Sequence, residues 1–146
     1  MNRTIIKLFF YLCILTALPS YAQNAVHYYF KTMDIRNGLS QNTVYQILQD
    51  RKGFMWFGTK DGLNRYDGLS YRVYKKENSG LGKNFITALY EDHEGNIWIG
   101  TDGGVFIYNP VLDSFTAFNQ TSDKGTVIKD FVTMIGSDEY DNIWIS

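Results

Sequence analysis

The sequence is poor in the residue types that supply most metal and thiol chemistry. Its 146 residues include one cysteine and two histidines. The cysteine is Cys13, near the N-terminus, so the remaining chain has no thiol for a disulfide or a cysteine-based metal site. His27 and His93 lie far apart, and no second ligand stands at a metal-binding spacing from either. We therefore expect neither a metal site nor a cofactor.

Neither charge nor hydrophobicity is concentrated in one part of the chain. The 14 basic and 15 acidic residues give a net charge of −1, and the longest basic cluster is the pair Lys75-Lys76. Binding to a phosphate backbone requires a basic patch, so no nucleic-acid partner is expected in this region. The longest apolar run, residues 8–18, is well short of the roughly 20 residues that cross a bilayer.

The first 22 residues have the three parts of a secretory signal peptide. Arg3 and Lys7 give a basic start, the apolar run follows, and the small residues Ser20 and Ala22 precede Gln23. We therefore expect residues 1–22 to be a leader, with cleavage favoured over a permanent anchor, and the rest of the chain to be exported.

The remaining composition favours an all-β fold. The chain is 45% hydrophobic and 16% aromatic, with 13 glycines, 11 tyrosines and 10 phenylalanines but only two prolines. Aromatic residues with frequent glycines indicate short strands joined by tight turns.

One segment recurs along the chain, first after 42 residues and then after 46. The extra residues of the longer spacing fall in polar stretches, as expected for loops between strands. The signature residues are Asp50, Gly53, Trp56 and Gly58 in the first copy, Asp92, Gly95, Trp98 and Gly100 in the second, and Asp138 and Trp144 in the third.

Each copy is predicted to form four short antiparallel strands, and a period near 42 residues is typical of a β-propeller blade. A short helix is the alternative for the first strand, because Ser40 could cap it, but eight residues before a tight turn favour a strand. The predicted strands of the first copy are residues 44–48, 55–59, 63–66 and 71–74, and the third copy is expected to begin its first strand at residues 132–135.

The signature residues have predicted structural roles. Asp50 and Gly53 occupy the first and fourth places of a type I turn, whereas the third copy has Asp141 in place of the glycine. Trp56 shares a strand face with Gly58, so the small residue lets a neighbouring sheet approach while the indole fills the gap between the sheets.

The mature chain divides into a latch strand (23–38), blade 1 (39–80), blade 2 (81–126) and the start of blade 3 (127–146). The latch resembles a fourth strand without its own blade, and such a strand completes the last blade of a closed ring. Propellers close with four to eight blades, so these roughly two and a third blades are expected to be an incomplete ring from a longer protein.

Two stretches carry a family resemblance. The sequence GLSQNTVYQILQDRKGFMWFGTKDGLNRYDG, at residues 38–68, resembles the two-component regulator propeller repeat, and ITALYEDHEGNIWIGTDGGVFIYN, at residues 86–109, is similar to it. The resemblance implies the periplasmic sensing part of a hybrid histidine kinase and response regulator anchored in the inner membrane.

The same resemblance implies the partners. The ligand would be a glycan fragment or another small molecule, and further blades of the same chain would complete the ring. A membrane helix and the kinase would lie downstream, so this region itself would not be an enzyme. A homodimer at full length stays open.

Ligand contacts are expected on one face of the ring, where the first strand of each blade starts and the second joins the third. That face also carries Asn37, Ser40, Gln41 and Lys83. Polar groups beside aromatic rings can bind sugar hydroxyls, although Asn42 and Asn84 have an alternative role as turn-ending residues that bond the backbone. The candidate ligand-binding residues are Arg36, Asn42, Lys60, Asp61, Asn84 and Asp102.

No catalytic residue is predicted in this stretch. Asp50, Asp92 and Asp138 recur once per copy, as turn-capping residues do, whereas an active site breaks the symmetry of a repeat. Two alternatives to the sensor stay open: a propeller polysaccharide lyase or sialidase-like hydrolase with its catalytic residues beyond residue 146, and a protein-interaction scaffold.

Overall fold

The computed structural model describes residues 27–119 and 128–146, together with Arg3 alone. The chain divides into two units, Met1–Lys31 and Thr32–Ser146. Apart from Arg3, the expected leader lies outside the described residues. No helix within the described ranges is long and apolar enough to cross a membrane.

The predicted latch is not a strand where the structure describes it. Residues 27–34 have no regular secondary structure, and Ile35–Asn37 form a 3-10 helix capped by Asp34. A strand is defined by its hydrogen bonds to a neighbouring strand, and no such partner is present among the described residues. That this segment closes a last blade stays a prediction.

Blade 1 is a four-stranded antiparallel sheet in the order β1-β2-β3-β4, as predicted. The first of these segments is a strand and not the alternative helix, because it pairs along its length with the second. Its strands are β1 (Val44–Gln49), β2 (Met55–Thr59), β3 (Gly62–Tyr66) and β4 (Tyr71–Tyr74).

Blade 2 repeats this topology with the strand order β5-β6-β7-β8. Both blades also share a β-bulge in the first strand, at Tyr45 in blade 1 and Thr87 in blade 2. The strands of blade 2 are β5 (Ile86–Glu91), β6 (Ile97–Thr101), β7 (Gly104–Asn109) and β8 (Ser114–Ala117).

The third copy contributes a two-stranded sheet of β9 (Ile135–Ser137) and β10 (Ile143–Ile145). β9 is assigned from Ile135, whereas the first strand of this copy was predicted at 132–135. Before β9, the N–H of Val132 donates to the carbonyl of Thr101 in blade 2.

Two hydrophobic clusters join the three sheets, and each contains one tryptophan. Trp56 is 1% exposed and Trp98 is 9% exposed, so both indoles lie in the space between blades, as the sequence predicted. The first cluster is Trp56, Leu63, Tyr74, Leu81, Ile86, Ile97, Ile99 and Tyr108, and the second is Ala88, Trp98, Val105, Val132 and Ile135.

Two glycines in the second strands set how closely the blades approach. A Cβ added to Gly58 would lie 2.8 Å from Cγ2 of Ile86, and one added to Gly100 would lie 2.7 Å from Cγ1 of Val132. Ile86 and Val132 hold equivalent positions at the start of the next blade. The same close contact is therefore made twice, as expected from the repeat.

Each Asp turn holds its tryptophan through one carboxylate. In blade 2, Oδ1 of Asp92 accepts the backbone N–H groups of Glu94 and Asn96, and Oδ2 accepts the indole N–H of Trp98 at 2.8 Å. Asp50 and Trp56 repeat the indole bond at 2.8 Å. One side chain therefore both closes the hairpin and orients the large ring.

The third copy uses the same turn with a different closing residue. Gly53 and Gly95 close their turns at φ values of 90° and 85°, and Asp141 adopts a φ of 62° at the equivalent place. Trp144 reaches Asp138 at 3.2 Å and is 62% exposed. The turn geometry is thus kept where no further described sheet covers the indole.

An arginine clamps the turns of blades 1 and 2 together. The guanidinium of Arg51 donates to the carbonyls of Asp92 and His93 at 2.6 and 2.7 Å and forms an ion pair with Glu91 at 2.9 Å. Because two of these partners are backbone atoms, the clamp fixes the position of the second turn relative to the first.

Replacing Gly58 with alanine tests the close approach of the blades. The added methyl group would push against Ile86, so we expect Gly58→Ala to lower the free energy of unfolding of the intact protein by about 1–3 kcal/mol. The denaturant midpoint measures the change. Gly136→Ala is the matched control, since no described residue lies within 4 Å of its added Cβ; equal effects of the two variants would contradict the close packing.

The Asp92 turn should give the protein acid-sensitive stability. Burial alone would raise the pKa of Asp92, but hydrogen bonds from Trp98, Asn96 and Glu94 outweigh it and hold the pKa below its usual value. Stability from this carboxylate is therefore complete above the unfolded pKa and is lost as the pH falls through the folded value.

Accordingly, Asp92→Asn should destabilise the protein by about 1–3 kcal/mol at pH 7, and the difference from wild type should shrink at pH 3. Urea titrations at the two pH values measure both effects. Glu139→Gln, at an exposed position in the third turn, is the control. A deficit for Asp92→Asn that is the same at both pH values would contradict the role of the charged carboxylate.

Candidate ligand-binding face

We define the loop face as the segments that precede the first strands together with the loops after the second strands. Thr59 builds one such loop, because its hydroxyl donates to the carbonyl of Gly62 and accepts the N–H of Asp61. Thr101 repeats this bond to Gly104. The loops are thus held by side chains of the strands from which they emerge.

Successive blades are also joined along this face. The N–H of Gly62 donates to the carbonyl of Asn84 at 2.8 Å, and the N–H of Gly104 donates to the carbonyl of Asp130 at 3.1 Å. Each loop therefore bonds to the segment that begins the next blade. This arrangement places polar side chains from two blades side by side.

Three of the six candidate residues line one depression. Lys60, Asn84 and Asp102 surround a hollow of about 380 Å³ together with Lys76, Gly82, Lys83 and Phe85. The hollow lies between the β2–β3 loop of blade 1 and the segment that starts blade 2. Whether these residues bind a ligand stays a prediction.

The other three candidates are engaged elsewhere. Arg36 forms an ion pair with Asp34 at 2.5 Å, and its guanidinium is the first cause of a lowered pKa at that carboxyl. The carboxylate of Asp61 accepts a hydrogen bond from the ammonium group of Lys75 at 2.6 Å. Asn42 accepts the N–H of Ile35 at 2.9 Å. None of these three lines the hollow.

The two asparagines follow the structural alternative. Asn42 and Asn84 both accept a backbone N–H, and Oδ1 of Asn84 accepts that of Lys76 at 2.8 Å. The Asn84 amide also donates to Glu77 and is the first cause of a lowered pKa at that exposed carboxyl. Asn84 therefore shapes the hollow as well as lining it.

A buried pair of residues explains why the second copy departs from the repeat. In blade 1 the fully buried Asn64 accepts the N–H of Ser40 at 2.8 Å and donates to its hydroxyl. Blade 2 has Phe106 and Gly82 at these places, and a Cβ on Gly82 would lie 2.4 Å from the Phe106 ring. The two positions change together because they are in contact.

A row of aromatic rings crosses the loop face. The ring centroid of Phe85 lies 4.8 Å from that of Tyr45 and 5.7 Å from that of Phe131. Tyr45 is 47% exposed and Phe131 is 53% exposed. Sequence analysis missed this row, although the spacing of Phe85 and Phe131 by one repeat was a signal.

The most chemically complex cluster lies between the outer strands and has a structural role. Arg65 donates to the hydroxyl of Tyr108 at 2.9 Å, that hydroxyl donates to Asp113 at 2.7 Å, and Arg72 pairs with the same carboxylate at 2.6 Å. Burial and the hydrogen bond to Asp113 raise the pKa of Tyr108. Since Tyr108 is only 1% exposed, a substrate cannot reach its hydroxyl.

Metal chemistry has no evident site in the described ranges. Within residues 27–119 and 128–146, no three His, Cys, Asp or Glu side chains come close enough together to hold an ion. What the loop face offers instead is ammonium groups, an amide and exposed rings around a shallow hollow. These groups are suited to binding a small polar ligand.

Asn84→Ala separates the structural role of this residue from a binding role. Loss of the bond to the Lys76 N–H should lower the free energy of unfolding by about 1 kcal/mol. Denaturant titrations of the intact protein measure the change. Lys60→Gln should leave stability unchanged, and a loss as large as that of Asn84→Ala would contradict this assignment.

Comparison with known proteins identifies the family that the repeats resemble. The two-component regulator propeller model matches residues 38–61 and 80–103. Over 59 residues, 40% of this chain, the sequence is 42% identical to histidine kinase P4 of Formosa agariphila, of which the match covers 4%.

Solved structures extend the likeness beyond the repeats. The extracellular domain of a protein described as a hybrid two-component system of B. thetaiotaomicron matches 79% of this chain with 32% identity and a TM-score of 0.68. Another, described as a one-component system of the same organism, matches 78% with 30% identity and a TM-score of 0.67.

The chain spans 17% of the length of each of these solved chains. The repeat match includes the Asp turn and the tryptophan of each of the first two blades. The chain therefore carries two repeats of the two-component regulator propeller family.

Proposed function

We propose that this chain is part of the ligand-sensing, extracytoplasmic propeller region of a hybrid two-component sensor. The observation that carries the proposal is the match to extracellular domains of two-component systems across 79% of the chain. The leader-like residues 1–22 support export to the periplasm.

The proposed ligand is a glycan fragment or another small molecule. The loop face supports it, because the hollow of about 380 Å³ brings polar side chains from two blades beside the exposed aromatic row. Aromatic faces and hydrogen-bonding groups together suit a sugar ring and its hydroxyls. The remaining blades of the ring and a second copy of the protein are further proposed partners.

Kinase activity, in this proposal, belongs to a part of the protein outside these residues. Binding at the propeller would shift the populations of two arrangements of the sensor, and only a ligand that binds one of them better can do so. The described residues would then supply differential binding and no chemical step.

The test is ligand-dependent phosphorylation of the intact protein. Fragments of different polysaccharides are added one at a time to membrane vesicles that contain the full gene product. At least one of these fragments should raise the rate of autophosphorylation several-fold. A variant whose phosphate-accepting histidine is replaced by glutamine is the control, and it should incorporate no phosphate with or without the glycan.

Two results would contradict the proposal. One is a reading frame that encodes neither a membrane helix nor a kinase. The other is a phosphorylation rate that is the same with every glycan fragment tested and without any fragment. Release of shorter sugars from the polysaccharide by the purified protein would instead favour the lyase or hydrolase alternative.

A further inference from the structure

The hollow on the loop face is electropositive although the chain as a whole is not. Three lysines, Lys60, Lys76 and Lys83, line it against one acid, Asp102, so the lining carries a net charge of +2. The whole chain has a net charge of −1. The cations are therefore concentrated at this place and do not reflect the overall composition.

Two of these ammonium groups are available to a ligand. Lys76 lies 3.7 Å from Glu77, whereas Lys60 and Lys83 have no acidic partner among residues 27–119 and 128–146. Both lysines line the same hollow, so an anion bound there would be attracted by two positive charges.

Lys83 is also held in place by the fold. A Cβ added to Gly103 would lie 2.4 Å from Cε and 3.0 Å from Nζ of Lys83, so the missing side chain makes room for the lysine. The equivalent position in blade 1 is Asp61, and the equivalent of Lys83 there is Gln41. The lysine and the glycine beside it occur together in blade 2.

The neighbouring copy lacks this charge pattern. Between blades 2 and 3, Asp102 takes the place of Lys60, while Lys129 and Phe131 take the places of Lys83 and Phe85. The hollow between blades 2 and 3 is lined by Lys83 and Lys129 against Asp102, a net charge of +1 instead of +2. The copies of the repeat thus share a backbone arrangement but differ in charge at this place. Such a difference is typical of a binding site, whereas turn-capping residues recur in every copy.

Apolar and polar groups suited to a sugar lie next to the cations. Phe85 lines the hollow and contacts Tyr45 and Phe131, which are about half exposed. Asn84 lines the hollow as well and adds a side-chain amide beside these rings.

We propose that the hollow between blades 1 and 2 binds an acidic saccharide, with its carboxylate or sulfate group between Lys60 and Lys83 and its ring against Phe85. This inference rests on the proposed sensing function and names the ligand class that the site would select. Neutral saccharides lack the charged group and therefore bind there more weakly.

Binding is tested by calorimetry on the intact protein with matched probes. The panel contains uronic-acid and sulfated oligosaccharides, each beside the neutral oligosaccharide of the same backbone. At least one acidic member should bind about tenfold or more tightly than its neutral partner, and its affinity should fall as salt is raised.

Four variants locate the site. Lys60→Gln and Lys83→Gln should each weaken binding of the acidic probe several-fold, and Gly103→Ala should do so by displacing Lys83. Lys52→Gln, an exposed lysine in the β1–β2 turn, is the control and should leave affinity unchanged. Phe85→Leu should weaken acidic and neutral probes alike, because it removes only the ring.

The outcomes separate the two proposals. If neutral probes bind as tightly as acidic ones, or if acidic probes bind equally to Lys60→Gln, Lys83→Gln and wild type, this inference is overturned while the sensing function stands. If no saccharide of either kind binds, both the acidic-site inference and the glycan-sensing proposal are overturned.

Discussion

The hydrogen bond from a tryptophan indole to a turn aspartate is the interaction on which the rest of the structure depends. The carboxylates of Asp50 and Asp92 accept the indole N–H at 2.8 Å and also bond the turn backbone. In blades 1 and 2, closure of the hairpin and orientation of the indole between two sheets therefore depend on the same carboxylate. Packing of the next blade against that ring, and against the adjacent glycine, then fixes where its first strand begins. The loop face and its hollow follow from this spacing.

Most of the fold could be predicted because the repeat encodes it locally. The period, the turn residues and the Trp-x-Gly pattern predicted four-stranded sheets, and those sheets are present in blades 1 and 2. The differences lie in the third copy, whose first strand is assigned from Ile135 and was predicted from 132, and in residues 27–34, which have no regular secondary structure. A strand is assigned by its pairing with a neighbour, which a local sequence pattern does not report.

The candidate site could be predicted only in part, for a related reason. Of the six residues predicted on this face, Lys60, Asn84 and Asp102 line one hollow, since they lie on loops that adjacent blades bring together. The sequence could not show that Arg36 and Asp61 form ion pairs with Asp34 and Lys75, because these pairs depend on the conformations of the side chains. The coupled change of Ser40 and Asn64 to Gly82 and Phe106 was visible in the repeat. Its meaning required knowing that the two positions touch.

A double-mutant cycle on Asp92 and Trp98 tests the central interaction most directly. Asp92→Ala and Trp98→Phe each remove one partner of the hydrogen bond, and the double variant removes both. If the bond holds the blade together, the free energies of unfolding of the intact variants will show a coupling of about 1–3 kcal/mol. Additive effects would mean that the aspartate and the indole stabilise the blade independently, and would contradict this account.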